Sequence, residues 1–579
     1  MRRREFLSGV FGGVGAAALL PAIEGLSACG LGGDTSGGSG AVHLNQVGYL
    51  PHRAKLATVG SRASSFVVRS AGNNAVAFKG DLSAPRADEA SGDAVRIADF
   101  SSFSQPGSYR LELDTGERSS SFAIGPRVYH DALRLTTRAF YGQRCGCNVD
   151  LGGGYRHPSC HMKDAFHPTS GKSGGFANHG GWHDAGDYGR YVVNSGITTG
   201  TLLWAWELFG PRLRWLALAI PESGERTPDF LAEVRWNLDW MLAMQDADGG
   251  VWHKQTSEQF CGFVMPQADP LVSYVIGTGE PPYKSTCATA DLAAVMAIAA
   301  RCYGQYDGAF AQRCLAAARK AYAWAAANPA VYFHNPPGIG TGAYDATDAS
   351  GELMWAAAEL WRTTGESEFE RAFGSVVSTR LSNLNVSAPA WDHVAPMAYW
   401  AYAMAERKGD ERIAEAVKSA TAGAAESLAG AGRTNGYGNT LSISDYVWGS
   451  NSVVGNHSLL LLIANQFHAN AEFVNAALGN LNYLLGNNCF GVSWVTHLGA
   501  KPFQHPHHRP SVADGIPAPW PGLLSGGPNA KPSDPVADRL PRQSPMRMWV
   551  DDSGAYSVNE VAINWNAPLV FLLAGVDGI

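Results

Sequence analysis

The 579-residue chain predicts a mainly α protein in which antiparallel helix pairs close into a toroid behind a small β-sandwich. Three observations lead there. Residues 42–125 alternate apolar and polar positions between Gly, Asn, Asp and Pro turns, the apolar period becomes helical from about residue 128, and helical segments then recur at near-regular intervals to the C-terminus.

The N-terminus reads as an address rather than as structure. Arg3-Arg4-Glu5-Phe6-Leu7 follows the twin-arginine pattern, residues 8–20 are rich in Gly, Ala and Leu, and Leu26-Ser27-Ala28-Cys29 reads as a lipoprotein cleavage box, so residues 1–29 form the expected signal. Cys29 would carry lipid, and the Gly/Ser-rich stretch 30–41 would act as a tether. Export to the cell envelope, with the membrane touched only through that anchor, is the expectation; a plain secretion signal is the simpler alternative. In the sandwich, the clearest strands are Lys55-Leu56-Ala57-Thr58-Val59, Ser65-Phe66-Val67-Val68-Arg69 and Ser108-Tyr109-Arg110-Leu111-Glu112-Leu113.

The remainder, 126–579, is expected to be one large helical domain. Leu231, Val234, Leu238, Met241 and Leu242 share a helical face after Thr227-Pro228, an N-cap and first-turn pair, with Gly249-Gly250 beyond its end. Further helices are expected over 195–208, 286–304, 308–327, 351–363, 394–407, 411–429, 456–466, 470–485 and 560–575. Residues 488–550 show neither period, and a loop of that length in a compact domain is functional or disordered.

Composition excludes several classes. Net charge is −7, which leaves no basic surface for nucleic acid, and the low share of charged residues suits a neutral partner. The eight cysteines after Cys29 are too scattered for a disulfide scaffold. Seventeen Trp, 20 Tyr and 23 Phe exceed what a core needs, and exposed rings of this kind hold sugars by stacking.

Chemistry concentrates in two stretches. Gly181-Trp182-His183-Asp184-Ala185-Gly186-Asp187-Tyr188-Gly189-Arg190 puts two carboxylates three residues apart on a glycine-hinged turn, and Trp549 to Glu560 carries Asp551, Asp552 and Glu560. Hydrolysis of an acetal by water needs one carboxylate as base and one carboxylic acid as proton donor on opposite sides of the bond. Asp184 and Asp187 could hold a water, and Glu560, among apolar neighbours, could be the acid. Taken singly, Asp184 also reads as a turn or cap aspartate and Glu560 as a helix N-terminal glutamate.

The stretch from Gly180 to Tyr188 resembles the nucleophilic-water motif of glycoside hydrolase family 9. Ser493-Trp494-Val495-Thr496 with Gly499, Lys501 and Pro506-His507-His508-Arg509 resembles that family's histidine signature, and Trp549 to Ala567, with Asp551, Tyr556, Glu560, Ala562 and Asn566-Ala567, its acid signature. Val42 to Pro51 is similar to the opening strand of the immunoglobulin-like module that precedes the barrel in one branch. The resemblance covers nearly everything after the tether and implies an (α/α)6 barrel with inversion of anomeric configuration. It makes Asp187 the general base, Asp184 a holder of the attacking water and Glu560 the general acid. His507 and Arg509 would bind sugar hydroxyls, and Asp551 and Tyr556 would support the acid and the adjoining subsite. Inversion in turn requires the two carboxyls to stand roughly 6.5–9.5 Å apart.

Two metal sites follow from the same resemblance. Cys145, Cys160, His161 and His183 offer two thiolates and two imidazoles, a set suited to a closed tetrahedral zinc, although their spacing is not that of a zinc finger. Cys147 competes with Cys145, and Arg144-Cys145-Gly146 matches the family text. Thr347, Asp348, Glu352 and Asp392 offer hard oxygens for calcium, with Gly351 departing from the family pattern. Trp252, Trp391 and Trp448 fall at loop positions where the family uses sugar platforms. The expected activity is an endo-acting β-1,4-glucanase acting as a monomer on cellulose or related β-glucans. An exo-acting glucosidase or glucosaminidase on short oligosaccharides and a non-catalytic glycan-binding lipoprotein are the alternatives.

Overall fold

The computed structural model describes residues 41–578, so the signal, Cys29 and nearly all of the tether lie outside the described residues. Nine strands open the chain: β1 (Val42–His43), β2 (Gly48–Tyr49), β3 (Leu56–Val59), β4 (Ser65–Ser70), β5 (Val76–Asp81), β6 (Arg86–Asp88), β7 (Asp93–Asp99), β8 (Gly107–Leu113) and β9 (Phe122–Ile124). They form two sheets, ordered β1-β3-β7-β6 and β2-β9-β8-β4-β5, around a core of their own that includes Ala57, Val59, Phe66, Val68, Phe100, Leu111 and Phe122. This is an immunoglobulin-like sandwich. The opening segment crosses from one sheet to the other between β1 and β2. Asn45 turns it there, its Oδ1 accepting from the N–H groups of Val47 and Gly48.

Fourteen helices follow among the described residues: α1 (His130–Gly142), α2 (Val192–Leu213), α3 (Asp229–Ala243), α4 (Thr286–Tyr303), α5 (Gly308–Ala327), α6 (Ser350–Thr364), α7 (Ser367–Val377), α8 (Ala395–Ala403), α9 (Glu411–Thr434), α10 (Ser450–Phe467), α11 (Ala471–Leu484), the short α12 (Arg509–Ala513) and α13 (Tyr556–Asn559), and α14 (Ile563–Val576). The twelve longer ones build the (α/α)6 barrel. Helices α2, α4, α6, α8, α10 and α14 are apolar almost all round and buried, as an inner ring must be, and α2 packs on α14 to close it. Each has a neighbour from α3, α5, α7, α9, α11 and α1 outside it. The outer α7 and α9 bury one stripe only: Phe369, Phe373 and Val377 on the former, Ile413, Val417, Thr421, Ala425 and Ala429 on the latter.

Every inner helix from α2 to α14 begins at the end of a long connection, so these loops gather on one face of the barrel. Among them run the short strands β10 (Val149–Asp150), β11 (Arg156–His157), β12 (Ala165–Phe166), β13 (Arg190–Tyr191), β14 (Lys254–Thr256) and β15 (Tyr274–Ile276). The last four form one sheet in the order β12-β15-β14-β13.

Several expected boundaries shift for physical reasons. Helix α3 starts at Asp229 with Pro228 in extended geometry as its cap, one residue later than the Thr227-Pro228 pair implied. Helix α10 begins at Ser450, ahead of the expected 456, because a left-handed Gly449 (φ 84°) lets the chain turn directly into it. Helix α14 begins at Ile563 and excludes Glu560, whose ψ of 162° is extended. Glu560 therefore follows a helical turn instead of opening a helix.

The sandwich is bolted to the barrel through polar contacts. Asp88 Oδ1 accepts from the Gly436 N–H (2.9 Å), Asp93 accepts from Tyr437 Oη (2.8 Å) and Arg547 Nη2 (2.6 Å), and Asn45 Nδ2 donates to Asn482 Oδ1 (2.9 Å).

Candidate active site

The turn 181–190 lies between α1 and α2 and is buried from end to end. Gly186 sits so close to the 507 segment that a Cβ there would lie 1.9 Å from the His507 carbonyl oxygen, so a side chain at this position would push the two strands apart. Asp184 N–H donates to the Gly189 carbonyl (2.8 Å), and the Asp184 carbonyl accepts from the Ile563 N–H at the start of α14 (2.8 Å). Its carboxylate accepts from Asn194 Nδ2, in the first turn of α2, through Oδ1 and from Tyr344 Oη (2.5 Å) through Oδ2. Asp187 Oδ1 caps the turn by accepting from the Gly189 N–H (2.6 Å). Asp187 lines a surface depression with Tyr188, Phe260, Leu271 and Thr341.

Tyr344 and Asn194 escape a sequence reading because nothing in their spacing ties either one to the Asp184 carboxylate. Tyr344 lies in a loop gripped by β14 and the residue before it: His253 Nε2 donates to the Ala343 carbonyl (2.9 Å), and Lys254 Nζ donates to Asn335 Oδ1 (2.7 Å), Gly342 O (2.8 Å) and Thr341 Oγ1 (3.1 Å). Strand β14 also pairs with β13, directly after the aspartate turn. One strand thus fixes both Asp184 and its phenol partner.

The 505–509 segment runs between the two carboxylate-bearing stretches. On one side Arg509 N–H donates to the Gly186 carbonyl (3.1 Å), and on the other His507 N–H donates to the Asn559 carbonyl (2.9 Å) in a parallel bridge with Glu560. Glu560 is buried, its carbonyl accepts from the Gly526 N–H (2.7 Å), and its Oε2 accepts from Trp448 Nε1 (3.2 Å). Asp551 braces this side: its oxygens accept from the N–H groups of Gln504 (2.7 Å) and His505 (2.8 Å) and from Asn559 Nδ2 (3.1 Å).

His507 is held neutral. Burial pushes its pKa down to about 4. Its Nδ1 lies 2.6 Å from the Ser553 carbonyl, which can only accept, so Nδ1 carries the proton and Nε2 is left as an acceptor. Tyr556 stands edge-on to this ring at 5.6 Å and tilted to Trp448 at 5.5 Å. Arg509, expected beside the sugar, spends three nitrogens on main-chain carbonyls: Nη1 on Gly186 (2.8 Å), Nε and Nη2 on Cys261 (3.1 and 2.8 Å). It locks the aspartate turn to the 257–273 loop.

Of the three expected tryptophan platforms, Trp252 is corrected. It is enclosed, with Nε1 donating to the Ser170 carbonyl (3.0 Å) and its ring against Phe166 and Phe176, because the 166–176 loop packs over it. Trp448 is half-buried beside Glu560, and Trp391 is half-buried with its ring edge-on to Tyr344 at 5.0 Å.

Cys145, Cys160, His161 and His183 converge, all four ligand atoms within 4.8 Å of one another. Cys145 Sγ lies 3.9 Å from Cys160 Sγ and 3.6 Å from His161 Nδ1, and Cys160 Sγ lies 3.8 Å from His183 Nε2. A tetrahedral centre with bonds of about 2.0–2.3 Å has edges of about 3.3–3.8 Å, so the donor set fits a metal ion with little adjustment. His161 Nε2 also meets Asp269 Oδ2 (3.2 Å), the carboxylate partner that orients a ligating imidazole. Cys147 is outside this cluster.

Asp348, Glu352 and Asp392 line one polar cavity of about 400 Å3, shared with Arg380 and His393. Burial, with Asp348 and Asp392 nearby, lifts the Glu352 carboxyl to about 7. Thr347 is exposed and does not line the cavity. The Asp348 carboxylate accepts from the Ser350 N–H (3.0 Å) and Oγ (2.7 Å) at the start of α6.

Among the described residues no helix is long and apolar enough to cross a membrane. The sequence profile of glycosyl hydrolase family 9 matches residues 129–573, and that of the cellulase N-terminal Ig-like domain matches 38–118. Endoglucanase D of Acetivibrio thermocellus is 37% identical over 92% of this chain and 83% of its own. The xyloglucan-specific endo-beta-1,4-glucanase BoGH9A of Bacteroides ovatus is 35% identical over 93% and 94%. The crystal structure of a metagenome-derived glycoside hydrolase family 9 endoglucanase superposes with a TM-score of 0.86 at 34% identity, covering 93% of this chain and 99% of that one. With both profiles matched in order, this chain belongs to glycosyl hydrolase family 9 and is a cellulase-type glycoside hydrolase with an N-terminal Ig-like domain.

Proposed function

We propose that the protein is an inverting endo-β-1,4-glucanase in which Asp187 is the general base and Glu560 the general acid. The observation that carries this reading is the 505–509 segment, bonded to Gly186 on one side and to Asn559 on the other. Two neighbouring-strand steps of about 4.8 Å put the backbones on either side of that segment on the order of 10 Å apart, so the two carboxylates would approach one glycosidic bond from opposite sides. Asp184, with both oxygens engaged, orients the water. Asp187 takes one proton from it as the oxygen attacks the anomeric carbon from the face opposite the leaving group. Glu560 gives its proton to the departing glycosidic oxygen, so the bond broken and the bond formed lie on opposite faces and configuration inverts.

Neutral His507 would accept from a sugar hydroxyl through Nε2, and Tyr556, Trp448 and Trp391 would flank the sugar chain. Arg509 would act chiefly by fixing the loops, and Asp551 by holding the strand beside Glu560. Zinc at Cys145, Cys160, His161 and His183 would be structural: four protein ligands leave no open position, and His183 next to Asp184 would brace the turn. Calcium at Asp348, Glu352 and Asp392 would tie the start of α6 to the 392 loop. A monomer exported by the twin-arginine route and anchored through lipid on Cys29 fits the leader sequence.

Protein lacking residues 1–40, incubated with carboxymethyl cellulose and cellohexaose, tests the reading through fragment lengths. Internal cuts that shorten the polymer before monosaccharide accumulates support it. Release of single sugars from chain ends would replace it with exo action.

A further inference from the structure

We propose that the end of the barrel opposite the cleft docks on anionic phospholipid headgroups, with Trp215 seated among them and Arg53 and Arg214 on their phosphates; the proposal rests on the lipid-anchored reading above. Trp215 is 81% exposed, and no other large apolar side chain among the described residues exceeds 49%. An indole standing in water leaves most of its apolar area unburied. At a bilayer interface the ring meets acyl chains while its N–H stays among polar groups.

The exposure is built into the chain. Helix α2 bends at Phe209, where φ is −124°, and runs through Pro211 to Leu213. Leu213 and Leu216 are both buried, and the Leu216 N–H donates to the Leu213 carbonyl (3.1 Å), so the two residues between them, Arg214 and Trp215, are turned outward. Leu218 and Ile220 continue inward, alternating with exposed Ala217 and Ala219. Buried neighbours on both sides therefore hold Trp215 in the open.

Positive charge collects around it. Arg212 Nη1 donates to the last carbonyls of α14, Ala574 (2.7 Å) and Gly575 (2.8 Å), and with Arg53 from the sandwich Arg212 rims a cavity of about 340 Å3 walled by Leu208, Phe209, Leu462 and Val474. Among the described residues no carboxylate pairs with Arg53 or Arg214. Several acids at this end are engaged elsewhere: Glu222 with Arg144 (2.9 Å), Asp577 with His130 (3.6 Å), and Asp229 with the Leu218 N–H (2.8 Å) and Ser223 Oγ (2.6 Å), while Glu225 is exposed. Guanidiniums beside an exposed indole and an apolar hollow match a ligand with phosphate heads and apolar tails.

The position suits the anchor. Inner helices begin on the cleft face, so the ends of α2 and α14 mark the far face, and the 22 residues of α2 set Trp215 on the order of 30 Å from the aspartate turn. Arg53 precedes β3, and the Gly60 N–H just beyond that strand donates to the Ala41 carbonyl (2.9 Å). Strand β3 rises about 13 Å, and the stretch 30–41 reaches at most about 40 Å, so Cys29 can arrive at the level of Arg53. A lipid anchor and a basic surface together supply the two signals that stable membrane attachment needs. The cleft then faces away from the bilayer, open to a polymer.

Sedimentation of protein lacking residues 1–40, which keeps both domain cores, tests the surface without the anchor. The vesicles are phosphatidylcholine alone and an equal mixture of phosphatidylcholine and phosphatidylglycerol. The expected result is binding to the phosphatidylglycerol vesicles only, weakened about fivefold by each of Arg53→Ser and Arg214→Ser and weakened also by Trp215→Ser. Tm and cellohexaose hydrolysis should stay unchanged, because none of the three residues lies in a core or near the cleft. Binding to neither vesicle, equal binding to both, or phosphatidylglycerol binding untouched in the triple variant overturns the docking surface alone. Mass spectrometry of the full chain from cell envelopes reads the anchor separately: an unmodified Cys29 overturns the anchored reading and the proposal with it.

Discussion

The aspartate turn hangs from rigid parts of the molecule, whereas Glu560 hangs from loops. Asp184 is joined to α2 through Asn194, to α14 through Ile563, and to the β14-gripped loop through Tyr344, while His183 beside it belongs to the Cys/His cluster. Glu560 follows a four-residue helix and is held by Trp448, the Gly526 N–H and the Asp551–Asn559 brace. A base that must aim a water needs fixed geometry, and an acid that must release and regain a proton needs a tuned environment. The contrast suggests that damage to the first side lowers rate through geometry and damage to the second through proton affinity.

The largest effect should separate the two carboxylates by their chemistry. Asp187→Asn and Glu560→Gln should each lower kcat on cellohexaose by about 10²–10⁴-fold. On a dinitrophenyl cellobioside, whose leaving group departs without a proton, Glu560→Gln should recover most of its rate and Asp187→Asn should not. Equal recovery by both would erase the distinction. Next, Tyr344→Phe should cost about tenfold in kcat with KM nearly unchanged, because it removes one donor to the Asp184 carboxylate and leaves the ring in place.

Metal removal sharpens the comparison through stability. Chelation, or His161→Ala, should lower Tm by several degrees, with the protein that remains folded still giving the same product anomer. Acid should also strike the base side. His508, which bonds Gln143 Oε1 (3.0 Å) under the aspartate turn, is pushed by burial to about 3, from 6.5. Its folded pKa lies below the unfolded value, so as pH falls below 6.5 the unfolded chain takes up the proton first and stability drains away down to about pH 3. His508→Gln should flatten the fall of Tm with pH across that window.

The smallest effect belongs to the acid side. Trp448→Phe removes a donor that favours ionised Glu560, so the carboxyl pKa should rise and the alkaline limb of the kcat/KM profile should move to higher pH, with only a few-fold change at the optimum. An alkaline limb that stays in place would show that Trp448 serves packing alone.

Much of this site was legible in sequence because its reactive residues sit in three contiguous motifs and its inner helices announce themselves by continuous apolar content. The Cys/His set was legible as a donor type, and only the fold shows that residues 145, 160, 161 and 183 meet. Asn194, Tyr344, Gln143 and Asp269 were not, since each acts through tertiary contacts that leave no period or spacing. A tryptophan after Gly249-Gly250-Val251 reads as a loop residue, whereas Trp252 is enclosed with its Nε1 bonded to the Ser170 carbonyl.

The central claim is that a water held at Asp184 and Asp187 attacks opposite the proton given by Glu560. Following the hydrolysis of cellohexaose by proton NMR from the first minutes tests it directly. The new reducing ends should appear as the α-anomer and then mutarotate. Initial accumulation of the β-anomer would mean retention, and would contradict the assignment of Asp187 as base.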